Sequence, residues 1–302
     1  MEEPQKEKKD FGKEFEKFHD KYYKLLLLIP VFILLVSFSY MFLFYKTHND
    51  FILKDISLTG GTSVTIYAQL DTVKLKEDLS EKLESINTKT IYDIITGDEI
   101  AVVVETKTEG ETTTEILEDH LGYKLTEENS SIEFTGSVLS DNFYRQLLMA
   151  VFYAFLFMAV VVFIIFRKFI PSFAVIISAF ADIFMTLTVA NFLGIKMSSA
   201  GIVAFLMLIG YSVDTDILLT NRLLKSHDGS LNERIVRAFK TGITMTLTSL
   251  FAIALALILV RSFSNVLNQI FTILVIGLCF DILNTWITNV SLLKWYVRKN
   301  EN

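Results

Sequence analysis

Three stretches of this chain run for about 20 residues without a charged side chain, and these windows constrain the fold more than any other feature. Leu25–Tyr45 lies between Lys24 and Lys46, Gln146–Phe166 between Arg145 and Arg167, and Thr241–Val260 between Lys240 and Arg261. A helix of that length spans roughly 30 Å, the thickness of a bilayer's hydrocarbon core. Apolar windows at 172–193, 198–219 and 266–293 carry only one or two acids each. The reading is a polytopic α-helical membrane protein with six transmembrane helices, at about 25–45, 147–166, 172–193, 198–219, 241–260 and 266–293. The first window is too long for a signal-peptide core and no small-residue cleavage site follows it, so it reads as a permanent span.

The polar segments fall between these windows. Residues 1–24 form a charged N-terminal segment in which Phe11, Phe15 and Phe18 have the spacing of a short amphipathic helix on the membrane surface. Residues 46–146 form an acidic block long enough for one small domain. Residues 220–240 read as a polar loop, and 294–302 as a basic tail. Arg167-Lys168, the 220–240 loop and the tail put the basic residues of the short loops on one side, while the opposite short loops carry only Lys196 and Arg261. By the positive-inside rule both termini are cytoplasmic and residues 46–146 lie outside the cell membrane.

The acidic block has its own rhythm. Ile56–Leu70 holds Gly60-Gly61 and then the alternation Val64, Ile66, Ala68, a strand pattern. Val73–Ile86 repeats Leu75, Leu79 and Leu83 at helical spacing. Thr90–Ile95 and Ile100–Glu105 read as strands joined through Gly97-Asp98, Thr112–Leu121 as a helix stopped by Gly122, and Ser131–Gly136 as a last strand. The order β-α-β-β-α-β is that of a small ferredoxin-like α+β domain.

Chemistry centres on acids inside the apolar windows: Asp182, Asp214, Asp216 and Asp281. A lone carboxylate in hydrocarbon costs at least ~2.5 kcal/mol, so such residues face the bundle interior and mark ion or proton paths. Asp214 leads the candidates. Two residues apart on a helix, Asp214 and Asp216 point to nearly opposite faces. The nearest cations are Lys240 and Arg222, at the cytoplasmic edge. Gly210 permits close helix packing or a local break. Gly60-Gly61-Thr62 precedes a strand and not a helix, so it reads as a backbone bend and not as a phosphate cradle.

Composition excludes other functions. A single cysteine leaves no intrachain disulfide and no Cys-based metal site, and all four histidines lie outside the apolar windows. The formal charge of −6 gives no nucleic-acid signal. There is no nucleophile–base constellation, so an enzyme is not expected, and neither is a cofactor or metal. An aspartyl protease would need Asp182 and Asp281 face to face, but the Gly- and Tyr-flanked motifs of such enzymes are missing.

Four segments carry a family resemblance. Ser57–Thr62 resembles D-F-T-G-G-T, and Phe134–Val138 resembles V-G-P-x-V. Gly210-Tyr211-Ser212-Val213-Asp214-Thr215-Asp216 with Asn221-Arg222 resembles G-Y-S-I-N-D-T…D-R, and Ser230–Asn232 with Thr246–Ser249 resembles S-L-N…T-S-L-T. Together they resemble the SecD/SecF family of the RND superfamily, in the archaeal type of its smaller subunit, over about Leu25 to Lys294. The chain departs from the pattern at several positions. Asp214-Thr215-Asp216 replaces Asn-Asp-Thr, and Thr241, with Lys240 beside it, replaces a membrane Arg. Asp281 stands where a small residue is usual. Asp182 keeps one member of a His-Asp pair, and Ala181 replaces the His.

The resemblance implies half of a pseudo-symmetric unit. Its partners would be SecD, the SecYE translocon, translocating polypeptides and the lipid bilayer, and Asp214 or Asp216 would carry a proton. Two other readings stay open: a half-size RND-type exporter of lipids or small hydrophobic molecules, and a purely structural assembly protein.

Overall fold

The computed structural model describes residue 23 and residues 25–93, 96–225, 229–260 and 264–301. The amphipathic segment expected at Phe11, Phe15 and Phe18 lies outside them. Among the described residues, six helices are long and apolar enough to cross a membrane. The first, α1 (Leu28–His48), ends where Asn49 turns left-handed and donates its N–H to the Tyr45 carbonyl.

A small domain follows. The Asp55 side chain accepts from the Ile56 N–H at 2.6 Å and starts a single helical turn, α2 (Ile56–Thr59). The strand expected from Ile56 therefore starts only at Gly61. The elements then run β1 (Gly61–Ile66), α3 (Thr72–Leu79), β2 (Asn87–Tyr92), β3 (Glu99–Thr106), α4 (Gly110–Leu121) and β4 (Ser130–Thr135). The sheet order is β2-β3-β1-β4, with every neighbouring pair antiparallel. This is the ferredoxin-like arrangement expected from the sequence.

Strand alternation puts Val64, Ile66, Val102 and Val104 on one face, where Leu75, Leu79, Leu83 and Leu117 close a core. Each such side chain is worth about 1.5–3 kcal/mol when buried. Helix α3 stops at Leu79, short of the expected Ile86, yet Leu83 and Ile86 still pack on that core. The Asp71 carboxylate caps α3 by accepting from Val73 N at 3.0 Å and Lys74 N at 3.2 Å. Asp71→Ala is expected to cost about 1 kcal/mol, read as a lower unfolding midpoint with unchanged membrane insertion.

The bundle comprises α5 (Ser137–Phe166), α6 (Phe169–Phe192), α7 (Ser199–Lys225), α8 (Leu231–Val260) and α9 (Asn265–Leu283), then a π-helical turn (Asn284–Asn289) and α10 (Val290–Glu301). Helix α5 begins at Ser137, well before the expected 147. Much of the expected 220–240 loop is the end of α7 and the start of α8. The expected tail is the last helix, α10. Apolar windows mark where lipid contact ends, whereas hydrogen-bonded helix continues into water. Just over half of the apolar windows of α6 and α7 is buried, against little of α5 or α8, so α6 and α7 form the centre.

The small domain is fastened to the bundle through the link between α6 and α7. Asp55 N donates to the Met197 carbonyl at 2.9 Å, and Met197 N donates to that of Leu53. Ser199 N donates to Ser57 Oγ at 3.3 Å. Leu58, Met197, Ile202 and Phe205 share one buried cluster that runs from the domain's base into the bundle.

Candidate functional site: three buried carboxylates

Three of the four membrane acids meet in the middle of the bundle. Asp182 of α6 and Asp216 of α7 are fully buried, and Asp281 of α9 is 1% exposed. Asp281 lies within electrostatic reach of both others. The carboxylates are held by neutral donors, two of which, Ser212 and Thr285, lie within reach of two acids each. Asp182 Oδ2 accepts from Ser212 Oγ at 2.6 Å, and its Oδ1 from Asn284 Nδ2 at 2.7 Å. Asp281 accepts from Thr285 Oγ1 at 3.1 Å and from Thr215 Oγ1 at 3.3 Å. Asp216 Oδ1 accepts from Asn289 Nδ2 at 2.7 Å and from Ser178 Oγ at 3.5 Å.

The π turn supplies one donor to each acid: Asn284 to Asp182, Thr285 to Asp281 and Asn289 to Asp216. All three polar residues are fully buried. On a regular α-helix, positions 284 and 289 would lie roughly 140° apart. The wider π turn places residues five apart next to one another, which lets both amides reach inward. Two acceptors, Asp216 Oδ2 and Asn289 Oδ1, are buried without a hydrogen-bond partner among the described residues. Neutral donors compensate part of the cost of burying these carboxyls, groups that can gain and lose a proton. Among the described residues no group of three His, Cys, Asp or Glu is arranged to hold a metal ion.

The other sequence candidates lie elsewhere. Asp214 is exposed on the outward face of α7, in line with Val203, Met207, Gly210 and Tyr211. Nothing among the described residues lies within 4 Å of a Cβ added at Gly210, so this glycine packs against no other helix among them. Lys240 and Arg222 are exposed and stand outside the cluster. Ser212 of the same motif is in the site through its bond to Asp182. Gly60 and Gly61 sit at the seam between β1, β3 and the start of α5, and Thr62 Oγ1 donates to the Thr108 carbonyl at 2.7 Å. These three shape the domain and are remote from the acids in the fold.

Sequence reasoning missed Asn284, Thr285 and Asn289. Their signal was three polar residues close to Asp281 inside an otherwise apolar window. It also missed Lys294, assigned to the tail but 1% exposed beneath the bundle, with Nζ 5.5 Å from the Tyr23 ring.

A multi-pass helical membrane protein with a ferredoxin-like domain between its first two spans is the class that this architecture defines. The family model for the C-terminal part of the protein-export membrane proteins SecD and SecF matches residues 116–299. Two proteins named protein-export membrane protein SecF are similar over nearly the whole chain. The one from Methanocaldococcus jannaschii is 39% identical over 287 residues, 92% of this chain and 96% of that protein. The one from Methanothermobacter thermautotrophicus is 37% identical over 283 residues, covering 92% and 93%. Among solved structures, SecDF from Thermus thermophilus, described as a translocon-associated membrane protein, matches 96% of this chain at a TM-score of 0.64 and 18% identity. This chain spans 39% of the length of that one. The chain belongs to the SecF family of protein-export membrane proteins.

Proposed function

We propose that this chain is an accessory subunit of the Sec export machinery that works with SecD beside the SecYE channel. In this reading an ion gradient, most simply of protons, is coupled to export through Asp182, Asp216 and Asp281. The observation that carries it is the set of three buried carboxyls, each held by a different polar side chain of one π turn, in the centre of a SecF-family bundle. A site of this kind is costly in a membrane and has no packing advantage over apolar residues, which favours a transport role over an enzymatic or purely structural one. The exposed stripe from Val203 to Asp214 would face the SecD half. Both termini would be cytoplasmic, with the small domain outside, where it would meet translocating polypeptides.

The test is the precursor-export rate at wild-type abundance, with SecD co-purification from the same membranes. Asp281→Asn is expected to slow export while SecD still co-purifies. Slow export in Asp214→Asn alone would move the path to the outer face of α7. Normal export in both variants, with the complex intact, would overturn ion coupling through these acids.

A further inference from the structure

A cavity of about 390 Å³ opens between the small domain and the bundle, on chemistry unlike that of the carboxylate site. Asn87 and Lys89 of β2 form one wall. Lys196 of the α6–α7 link and Asn268 and Gln269 of α9 form the other. Among the described residues no carboxylate lines it. Behind it, Glu105 on β3, only 7% exposed, holds Lys89 Nζ at 2.7 Å and Asn87 Nδ2 at 2.8 Å. Asp55, also within reach, caps α2, and burial together with the charge of Glu105 pushes its carboxyl above its ordinary value. Asp55 is half-buried and also feels the charges of Lys89 and Lys196, whereas the Lys196 ammonium is exposed beside the cavity.

The wall carrying Lys196 is held in place. Gln269 Nε2 donates to the Lys196 carbonyl, and its Oε1 accepts from Ser198 N and Ser198 Oγ. One side chain therefore ties the link to α9 and holds that wall together.

Depth is set by the neighbours. Phe192 and Leu193, immediately before the link, are 72% and 57% exposed, and Val266, just before Asn268, is 51% exposed. Phe192 ends one helix long and apolar enough to cross a membrane, Leu193 caps it, and Val266 lies at the start of another. Apolar side chains projecting from the same two segments that supply the polar lining put the cavity at the edge of the hydrocarbon, at headgroup level. With Lys89 and Asn87 held by Glu105, the exposed Lys196 ammonium beside Asn268 supplies the donors at that level, a combination that suits a phosphate oxyanion.

We propose that this cleft binds a phosphate group, with a phospholipid headgroup as its source. Seated there, the headgroup would bridge β2 and α9 and couple the small domain to the lipid surface. This does not rest on the ion-path reading.

The experiment uses the full chain in detergent, with its copurifying partner where present, and native mass spectrometry. The probes are phosphatidylglycerol and, separately, inorganic phosphate. Wild type is expected to retain phosphatidylglycerol, and Lys196→Gln to weaken that retention about fivefold or more. Lys74→Gln, on the exposed side of α3, is expected to leave it unchanged. Lys196 is exposed, so its replacement spares the core, and an unchanged unfolding midpoint checks this. Displacement of the lipid by millimolar inorganic phosphate would uphold the phosphate site and assign free phosphate as the source. Wild-type retention in both Lys196→Gln and Lys196→Glu, or binding of neither probe, would overturn the proposal.

Discussion

Gly61→Ala is expected to cost about 3 kcal/mol or more, a large part of the stability of a domain this small. The position has φ +143°, a conformation that side-chain-bearing residues rarely adopt, and an added Cβ would lie 2.3 Å from the Thr106 carbonyl oxygen. That oxygen belongs to β3, whose Thr106 is paired with Thr62. Backbone cannot rotate away as a flexible side chain can, so the central β1–β3 pair would have to open at this end. Gly60, at φ +79°, is as constrained: its Cβ would meet Ser137 Cα at 2.5 Å, at the first residue of α5. The strain would spread from the sheet into the second membrane span. The expected readout is a sharp fall in folded protein recovered from membranes and in its unfolding midpoint. Gly210→Ala is the control: with nothing within 4 Å and a helical backbone, it should be neutral or slightly stabilising. A wild-type midpoint for Gly61→Ala would show that the seam can relax.

This contrast marks what the sequence can and cannot disclose. The absence of charge from Leu25–Tyr45 and Gln146–Phe166 follows directly from the cost of burying charge in hydrocarbon, so the spans were legible. The alternation Val64, Ile66 and the leucine spacing of α3 reflect burial on one face, so the ferredoxin-like order was legible too. The acids themselves stood out because they are expensive. Their arrangement did not. Spacing says that Asp214 and Asp216 point apart, but which one turns inward depends on Ser178 and Asn289, which lie on other elements. The π turn was invisible because reading 284–289 at 3.6 residues per turn separates Asn284 from Asn289. Lys294 reads as tail because it follows the apolar window 266–293, whereas α10 carries it into a buried position. Period and hydropathy report local burial. Register changes and long-range partners are settled by packing between elements.

Asp216→Asn is expected to slow precursor export at least about tenfold while leaving the protein folded and bound to SecD. The replacement is nearly isosteric and keeps an oxygen to accept from Asn289 Nδ2, now at 2.7 Å, so the packing of α7 against the π turn survives. It removes only the ability to gain and lose a proton or to carry charge. Asn289→Leu does the reverse. It leaves the carboxyl but strips it of its closest donor in a fully buried site, and a buried polar group without a partner costs about 1–3 kcal/mol, more if it is charged. That variant should lose stability first, with export falling in proportion to the folded protein that remains. The two substitutions thus separate chemistry from scaffolding at one contact. If Asp216→Asn exported at the wild-type rate while Asn289→Leu lost only stability, Asp216 would be a structural carboxyl, and coupling would have to pass through Asp182 and Asp281. If Asp216→Asn failed to fold or lost SecD, the carboxylate would be needed for assembly. Slow export from an intact complex is the outcome that an ion-coupled step through Asp216 requires.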